Sequence, residues 1–205
     1  MPVLVGIAGG SGSGKTTLAH ALVGALGAQT AVVIPHDAYY RDLSHLPLSK
    51  RAEVNFDEPA ALDNERLIAD LGCLRAGQPV LRPSYDFVSH TGRAGTVRVD
   101  PHRVVIVEGI LALADPVLWR AFDLRVFVEA SNQIRLHRRI LRDSVERGRS
   151  RESVLAQYSC STVPMFERYV APSARLAHVT VSGEDEVARA VQILSPRILT
   201  MLGSQ

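Results

Sequence analysis

An α/β fold, with a parallel sheet of about five strands and helices on both faces, is what this sequence predicts. Three observations carry the prediction. Short apolar runs rich in β-branched residues occupy residues 3–8, 31–35, 104–107, 124–128 and 178–181, the pattern of strands buried on both faces. Helical patterns separate most of these runs, as a parallel sheet requires. A glycine-rich segment joins the first run to the first helical pattern.

Taken in order, the first run leads through Gly9-Gly10-Ser11-Gly12-Ser13-Gly14-Lys15-Thr16 into a helix expected over residues 15–26. Leu18, Leu22 and Leu26 share one face of it, and Gly27 is its stop. After the second run, Leu67, Leu71 and Leu74 lie at helical spacing within a helix expected over residues 63–75. Residues 77–102 break the rhythm with Gly77, Pro79, Pro83, Gly92, Gly95 and Pro101. Two extended arms there, 80–85 and 96–99, predict a hairpin insert. Beyond the third and fourth runs, one helix is expected over 132–147, ending at Gly148, and another over 150–169, limited by Pro164. The last helix opens with Glu184, Asp185 and Glu186, acids that suit the positive end of a helix dipole, and is interrupted or kinked at Pro196. Trp119 and the aliphatic helix positions read as core.

A chain of 205 residues suits one well-buried domain, residues 1–205, better than two. The net charge of +2 supplies no global attraction for nucleic acid or a membrane surface. Met1 leads directly into a strand, so no signal peptide is read, and no apolar run approaches the ~20 residues that span a bilayer. Cys73 and Cys160 are far apart without metal-ligand spacing, which reads as reduced, buried or semi-buried thiols of a cytoplasmic protein.

The glycine-rich segment matches G-x-x-x-x-G-K-[ST] in its required strand–loop–helix setting, a phosphate-binding loop. Glycines let backbone N–H groups turn inward onto polyphosphate oxygens at a helix N-terminus. Nucleotide contacts are therefore expected from Gly9, Gly10, Ser11, Gly12, Ser13, Gly14, Lys15, Thr16 and Thr17. Lys15 would reach the β- and γ-phosphates as part of the catalytic set, and the Thr16 hydroxyl would sit on Mg²⁺. Of 23 basic residues only Lys15 and Lys50 are lysines. The loop keeps a compact ammonium where a planar guanidinium does not fit. The fold class is thus a phosphate-loop (P-loop) NTPase-type sheet carrying a hairpin insert.

Ligands of open α/β sheets bind at the carboxyl ends of the strands. Asp37 stands just past the second run, where it could take a proton from an attacking hydroxyl or coordinate magnesium; an ordinary loop cap is the bland alternative. Glu108 ends the third run and suits a magnesium site, with structural ion pairing as its alternative. Asn55-Phe56-Asp57-Glu58-Pro59 offers a ribose-binding acid beside a ring, yet an Asx turn before a helix explains these residues as well or better. Tyr85, Phe87 and His90 could hold a planar heterocycle or simply pack the hairpin.

Residues 131–152 hold seven arginines against three acids. Arg135, Arg138, Arg139 and Arg142 fall on one helical face, and Gly148 hinges into Arg149. An arginine lid over the phosphates ranks ahead of a solvated face, and both ahead of a nucleic-acid patch.

Together these motifs resemble the uridine kinase (uridine–cytidine kinase) family. The likeness runs through the phosphate loop, His36-Asp37-Ala38-Tyr39-Tyr40-Arg41, Asn55-Phe56-Asp57-Glu58-Pro59, Tyr85-Asp86-Phe87 with His90, Val107-Glu108-Gly109-Ile110-Leu111, and Arg138-Arg139-Ile140-Leu141-Arg142-Asp143 on to Glu146-Arg147-Gly148-Arg149. The resemblance implies transfer of the γ-phosphate of ATP or GTP, with Mg²⁺, to the 5′-hydroxyl of uridine or cytidine. It makes Asp37 the base and places Thr16 and Glu108 around the metal. It implies nucleoside contacts from Asp57, Phe56, Tyr85, Phe87, His90, Arg139 and Gln157, and donor-phosphate contacts from Arg142, Arg147 and Arg149. A homo-oligomer, commonly a tetramer, and inhibition by pyrimidine nucleoside triphosphates are implied too. Family members often have Arg-Pro-Met where this chain has Val163-Pro164-Met165, so that arginine's contacts are not carried over.

A phosphoribulokinase is the nearest rival, but its acceptor has no base for Tyr85, Phe87 and His90 to hold. A GTPase would need an Asn-Lys-x-Asp motif, which neither lysine provides. A non-catalytic nucleotide-binding module is the remaining alternative.

Overall fold

The computed structural model describes residues 1–203 except Ala52, Val88 and Arg147, and leaves the side chains of Arg93, Ala94 and Glu146 undescribed. Five parallel strands form the main sheet: β1 (Val3–Gly9), β2 (Ala31–Pro35), β5 (Val104–Glu108), β6 (Leu124–Glu129) and β7 (Val179–Ser182), in the order β2-β5-β1-β6-β7. A separate antiparallel hairpin pairs β3 (Val80–Asp86) with β4 (Thr91–Val99). The sheet and the hairpin therefore take the form the sequence predicts, each strand matching its apolar run to within a residue or two, except that β4 begins five residues early.

Alternation along the strands builds a core on each face. Val3, Val5, Ile7, Val104, Ile106, Val126 and Val128 pack beneath α1 (Lys15–Leu26) and α8 (Val187–Gly203) through Leu18, Leu22, Leu194 and Ile198. Leu4, Val105, Val107 and Phe127 meet Leu67, Leu71 and Leu74 of α3 (Asn64–Arg75) on the other face. Both layers are fully buried, which fixes the sheet register and hence the level at which each strand ends. Glu108 lies opposite Ile7 on one side and Pro35 on the other. The ends of β1, β2 and β5 thus meet along one edge.

Several connections differ from expectation. β2 runs into a 3₁₀ turn, His36–Tyr39, so Asp37 sits on a turn rather than at a strand tip. A short helix α2 (Leu48–Arg51) lies in the following loop. Helix α4 (Pro116–Ala121) was not anticipated; its signal is the Asp115 cap, whose carboxylate accepts from the N–H groups of Val117 and Leu118, followed by proline at the first helical position. Pro164 does not end a helix. α6 (Arg151–Gln157), a π turn (Tyr158–Thr162), α7 (Val163–Met165) and a second π turn (Phe166–Val170) follow one another, with the proline in the first turn of α7 directly after a turn of altered pitch. Glu184, Asp185 and Glu186 precede α8 instead of opening it, and α8 continues through Pro196 to Gly203. Cys160 is exposed, contrary to its buried or semi-buried reading, because the π turn points it outward; Cys73 is half-buried. Trp119 is half-buried at the core edge, with the Arg120 and Arg125 guanidiniums 4.9 and 5.0 Å from its ring. Among the described residues no helix is long and apolar enough to cross a membrane.

Candidate active site

One cavity opens at the carboxyl edge of β1, β2 and β5, and the phosphate loop forms its floor. β1 ends at Gly9, Gly14 takes a left-handed φ of 100°, and α1 begins at Lys15. Gly12 has φ +80° and faces the Arg135 backbone carbonyl so closely that a Cβ would collide with it. Position 12 therefore admits only glycine, for conformation and for space. Lys15 is buried and donates from Nζ to the Gly10 carbonyl at 3.0 Å. Burial pushes the Lys15 ammonium down to about 8; Glu108 and Asp37 oppose that shift, while Arg142 and Arg135 add to it.

The Thr16 hydroxyl donates to Glu108 Oε1 at 3.0 Å, and Asp37 lies on the same cavity wall. One hydroxyl and two carboxylates form an all-oxygen donor set suited to a hard divalent cation. No group of three or more His, Cys, Asp or Glu able to hold a metal occurs among the described residues. The remaining ligands would come from water and phosphate oxygens, as is usual for magnesium.

The turn carrying Asp37 is held from behind. His36 is buried, and desolvation pushes its imidazole down to about 4, against the opposing pull of Asn64 and Asp115, so it is neutral at working pH. The Asp115 carboxylate can only accept, which turns Asn64 Nδ2 toward it at 3.2 Å. Asn64 Oδ1 then faces His36, whose Nε2 carries the proton and donates at 2.8 Å. Neither His36 nor Tyr40, both on the cavity wall, was singled out from the sequence. Their position beside Asp37 on a single tight turn was the available signal.

The acceptor side is aromatic. Tyr40 stands 5.3 Å from both Phe56 and Tyr85, Phe87 meets Tyr85 edge-on at 5.5 Å, and His90 stacks on Phe56 at 4.9 Å and 16°. His90 holds a positive φ of 54°, a conformation uncommon for a residue with a side chain, and one that concentrates at functional sites. The hairpin is pinned over the cavity by Gly92 N–H donating to Asp42 at 3.0 Å and Arg51 donating to the Ser89 carbonyl at 3.1 Å. The rings come from three separate stretches, so the cluster reaches beyond the hairpin itself.

Asp57 does not make the Asx turn expected of it. Asn55 makes that turn, its Oδ1 accepting from the Asp57 N–H at 3.1 Å. The Asp57 carboxylate is left to line the cavity, where Oδ2 accepts from Ser161 at 3.2 Å and Thr162 at 3.0 Å. Those two hydroxyls come from the π turn, a further contribution not read from the sequence.

The arginine face of α5 (Asn132–Glu146) divides in two. Arg135 is buried beneath Gly10 and places its guanidinium 3.7 Å from the Phe166 ring centre, while Arg138 donates to the carbonyls of Gly12 at 3.4 Å and Gly183 at 2.8 Å. These two support the loop and are not part of a lid. Arg139 and Arg142, with Arg149, line the cavity. Burial lowers the Arg139 guanidinium, and Asp57 and Asp143 counter it. Gln157 also lines the cavity, with Oε1 accepting from Arg139 at 2.9 Å and from Arg149 at 2.6 Å. Arg147 lies outside the described residues. Of the other expected nucleotide contacts, Ser11, Lys15 and Thr16 line this cavity, whereas Gly14 and Thr17 line a neighbouring one with Arg138, Gly183 and Asp185. Gly9, Gly10, Gly12 and Ser13 shape the loop without lining either.

A profile of the Phosphoribulokinase / Uridine kinase family matches residues 4–188. The chain is 45% identical over 197 residues to a uridine kinase of Chloroflexus aurantiacus, which covers 96% of this chain and 94% of that one. It is 39% identical over 202 residues to a uridine kinase of Streptococcus equi subsp. zooepidemicus, at 98% and 97% coverage. The solved phosphoribulokinase of Rhodobacter spheroides superposes with a TM-score of 0.61 at 15% identity, covering 88% of this chain and 70% of that one, a likeness of fold.

Proposed function

The chain belongs to the phosphoribulokinase/uridine kinase family, and from that premise we propose that it transfers the γ-phosphoryl group of ATP or GTP to the 5′-hydroxyl of uridine and cytidine. One observation carries the reading: a single cavity joins Lys15 and Thr16 of the phosphate loop, the Asp37 carboxylate, and an aromatic wall ending in Asp57. The donor's phosphates lie along the loop, and its base takes the neighbouring cavity beside Gly14 and Thr17. The acceptor's base lies against Phe56, Tyr85, Phe87 and His90, and its ribose hydroxyls donate to Asp57, with Arg139 alongside. Asp37 takes the 5′-hydroxyl proton as the new oxygen–phosphorus bond forms and the bond to the departing diphosphate breaks. Thr16 and Glu108, with Asp37 beside them, would hold magnesium, which would supply neutralising charge on the phosphates. Lys15, Arg142 and Arg149 orient and neutralise the same oxygens, so positioning and electrostatics provide most of the acceleration. The products would be UMP or CMP, returning a nucleoside to the nucleotide pool.

A sugar-phosphate acceptor is the competing reading within the family. It leaves four aromatic side chains without a planar partner. Purified protein with ATP and Mg²⁺ is to be offered uridine, cytidine, deoxyuridine, adenosine and ribulose 5-phosphate, with ADP release measured. Turnover on uridine and cytidine is expected. Faster turnover on ribulose 5-phosphate would overturn the assignment, and nucleotide binding without acceptor-dependent turnover would favour a non-catalytic module.

A further inference from the structure

Arg139, Arg142 and Arg149 bring three like charges to one cavity wall. Like charges at such spacing repel, and each guanidinium loses hydration as it is buried. Something must hold them together before any phosphate arrives. The fully buried carboxylate of Asp143 lies behind all three. Arg142 places Nε 2.9 Å and Nη2 2.8 Å from Asp143 Oδ1. Arg139 Nε approaches Oδ2 at 3.6 Å, and Arg149 Nη1 approaches it at 3.9 Å. Gly148, with φ +61°, lets the chain reverse after α5, and the Arg149 N–H then donates to the Asp143 carbonyl at 3.1 Å. Gln157 Oε1 supplies a second acceptor, shared by Arg139 and Arg149.

We propose that Asp143 is a positioning residue: with Gln157 it gathers the three arginines into a clasp aimed at the substrates before either binds. Asp143 does not line the cavity, so it acts only through the arginines. Gln157 lies in the cavity, but its oxygen joins the arginine expected at the ribose to one expected at the phosphates. The clasp rests on the reading of these arginines as substrate-facing and adds the residue that makes them converge. Placement errors on the order of 1 Å in such groups cost up to about 100-fold.

The test combines Asp143→Asn with Gln157→Leu and an Arg142→Gln/Arg149→Gln background. ATP–Mg affinity is measured by calorimetry and uridine turnover in steady state, with thermal melting as the check on folding. Asp143→Asn is expected to weaken ATP binding and lower kcat/KM for ATP by about 10- to 100-fold. In the double-arginine background the same change should cost less than about twofold in ATP affinity, because the two arginines through which Asp143 would reach the donor phosphates are gone and only Arg139, on the acceptor side, is left to position. A merely structural role would cost the same in both backgrounds and would overturn the proposal, as would a folded Asp143→Asn protein with wild-type ATP affinity. Should Asp143→Asn not fold, Gln157→Leu decides: a rise of about 3- to 10-fold in the ATP dissociation constant supports the clasp, and no change overturns it. Wild-type protein that binds ATP yet fails to turn over uridine would strike the kinase reading, while the ATP affinities would still decide this one.

Discussion

The phosphate loop is a contiguous run of eight residues shaped by its own glycines, whereas the acceptor wall draws side chains from around residues 40, 56, 85–90 and 157–162. The loop gains its rigidity from close backbone contact: the Arg135 carbonyl abuts Gly12, and Arg138 ties Gly12 to Gly183. The acceptor wall gains its rigidity from ring contacts and from hydroxyl groups on a carboxylate. Arginines divide along the same line, with Arg135 and Arg138 structural under the loop and Arg139, Arg142 and Arg149 facing the cavity. The difference teaches that one motif can fix where a phosphate goes, while the identity of the acceptor depends on tertiary structure bringing distant segments together.

Four experiments break or sharpen that contrast. The largest effect is expected at the junction of the halves. Asp37→Asn should leave binding of both substrates near normal and lower kcat by on the order of 10²–10⁴-fold, measured in steady state with uridine and ATP. Asp57→Ala should raise the uridine KM by on the order of 10- to 100-fold with little change for ATP, and deoxyuridine should be a poor substrate if the 2′-hydroxyl is read. Equal effects on both substrates would remove the distinction between the halves.

The third experiment acts on the phosphate half alone. Burial holds free Lys15 near 8, below its unfolded value of 10.5. Below about pH 8 the folded protein bears the cost of a buried ammonium, and that cost is relieved as pH rises toward 10.5, because the unfolded chain then binds more protons. Donor binding needs the ammonium, so the ATP dissociation constant should rise above pH 8 by up to about tenfold per pH unit, while that of uridine stays flat. Calorimetry at a series of pH values separates the two. The smallest effect is expected from Phe87→Leu, which keeps apolar bulk but loses the ring; a rise of about 3- to 10-fold in uridine KM and no change in ATP KM should follow.

The same contrast explains what was legible in the sequence. The strands, the hairpin and the phosphate loop were readable because each depends on local periodicity or contiguous spacing. Asp57 read locally as a turn residue, because nothing near it in sequence shows that Asn55 makes the turn and that a π turn more than a hundred residues away receives the freed carboxylate. The arginine face was legible as a face, but periodicity cannot tell which half meets the loop backbone and which meets open cavity. Pro164 misled for a related reason, since turns of altered pitch absorb a proline that local rules treat as a stop.

The central claim is a geometry, and a crystal structure with uridine and a non-hydrolysable ATP analogue tests it most directly. The account predicts the triphosphate along residues 9–16 and the 5′-hydroxyl within hydrogen-bonding distance of the Asp37 carboxylate. A nucleoside bound out of reach of Asp37, or a triphosphate lying away from the loop, would contradict it.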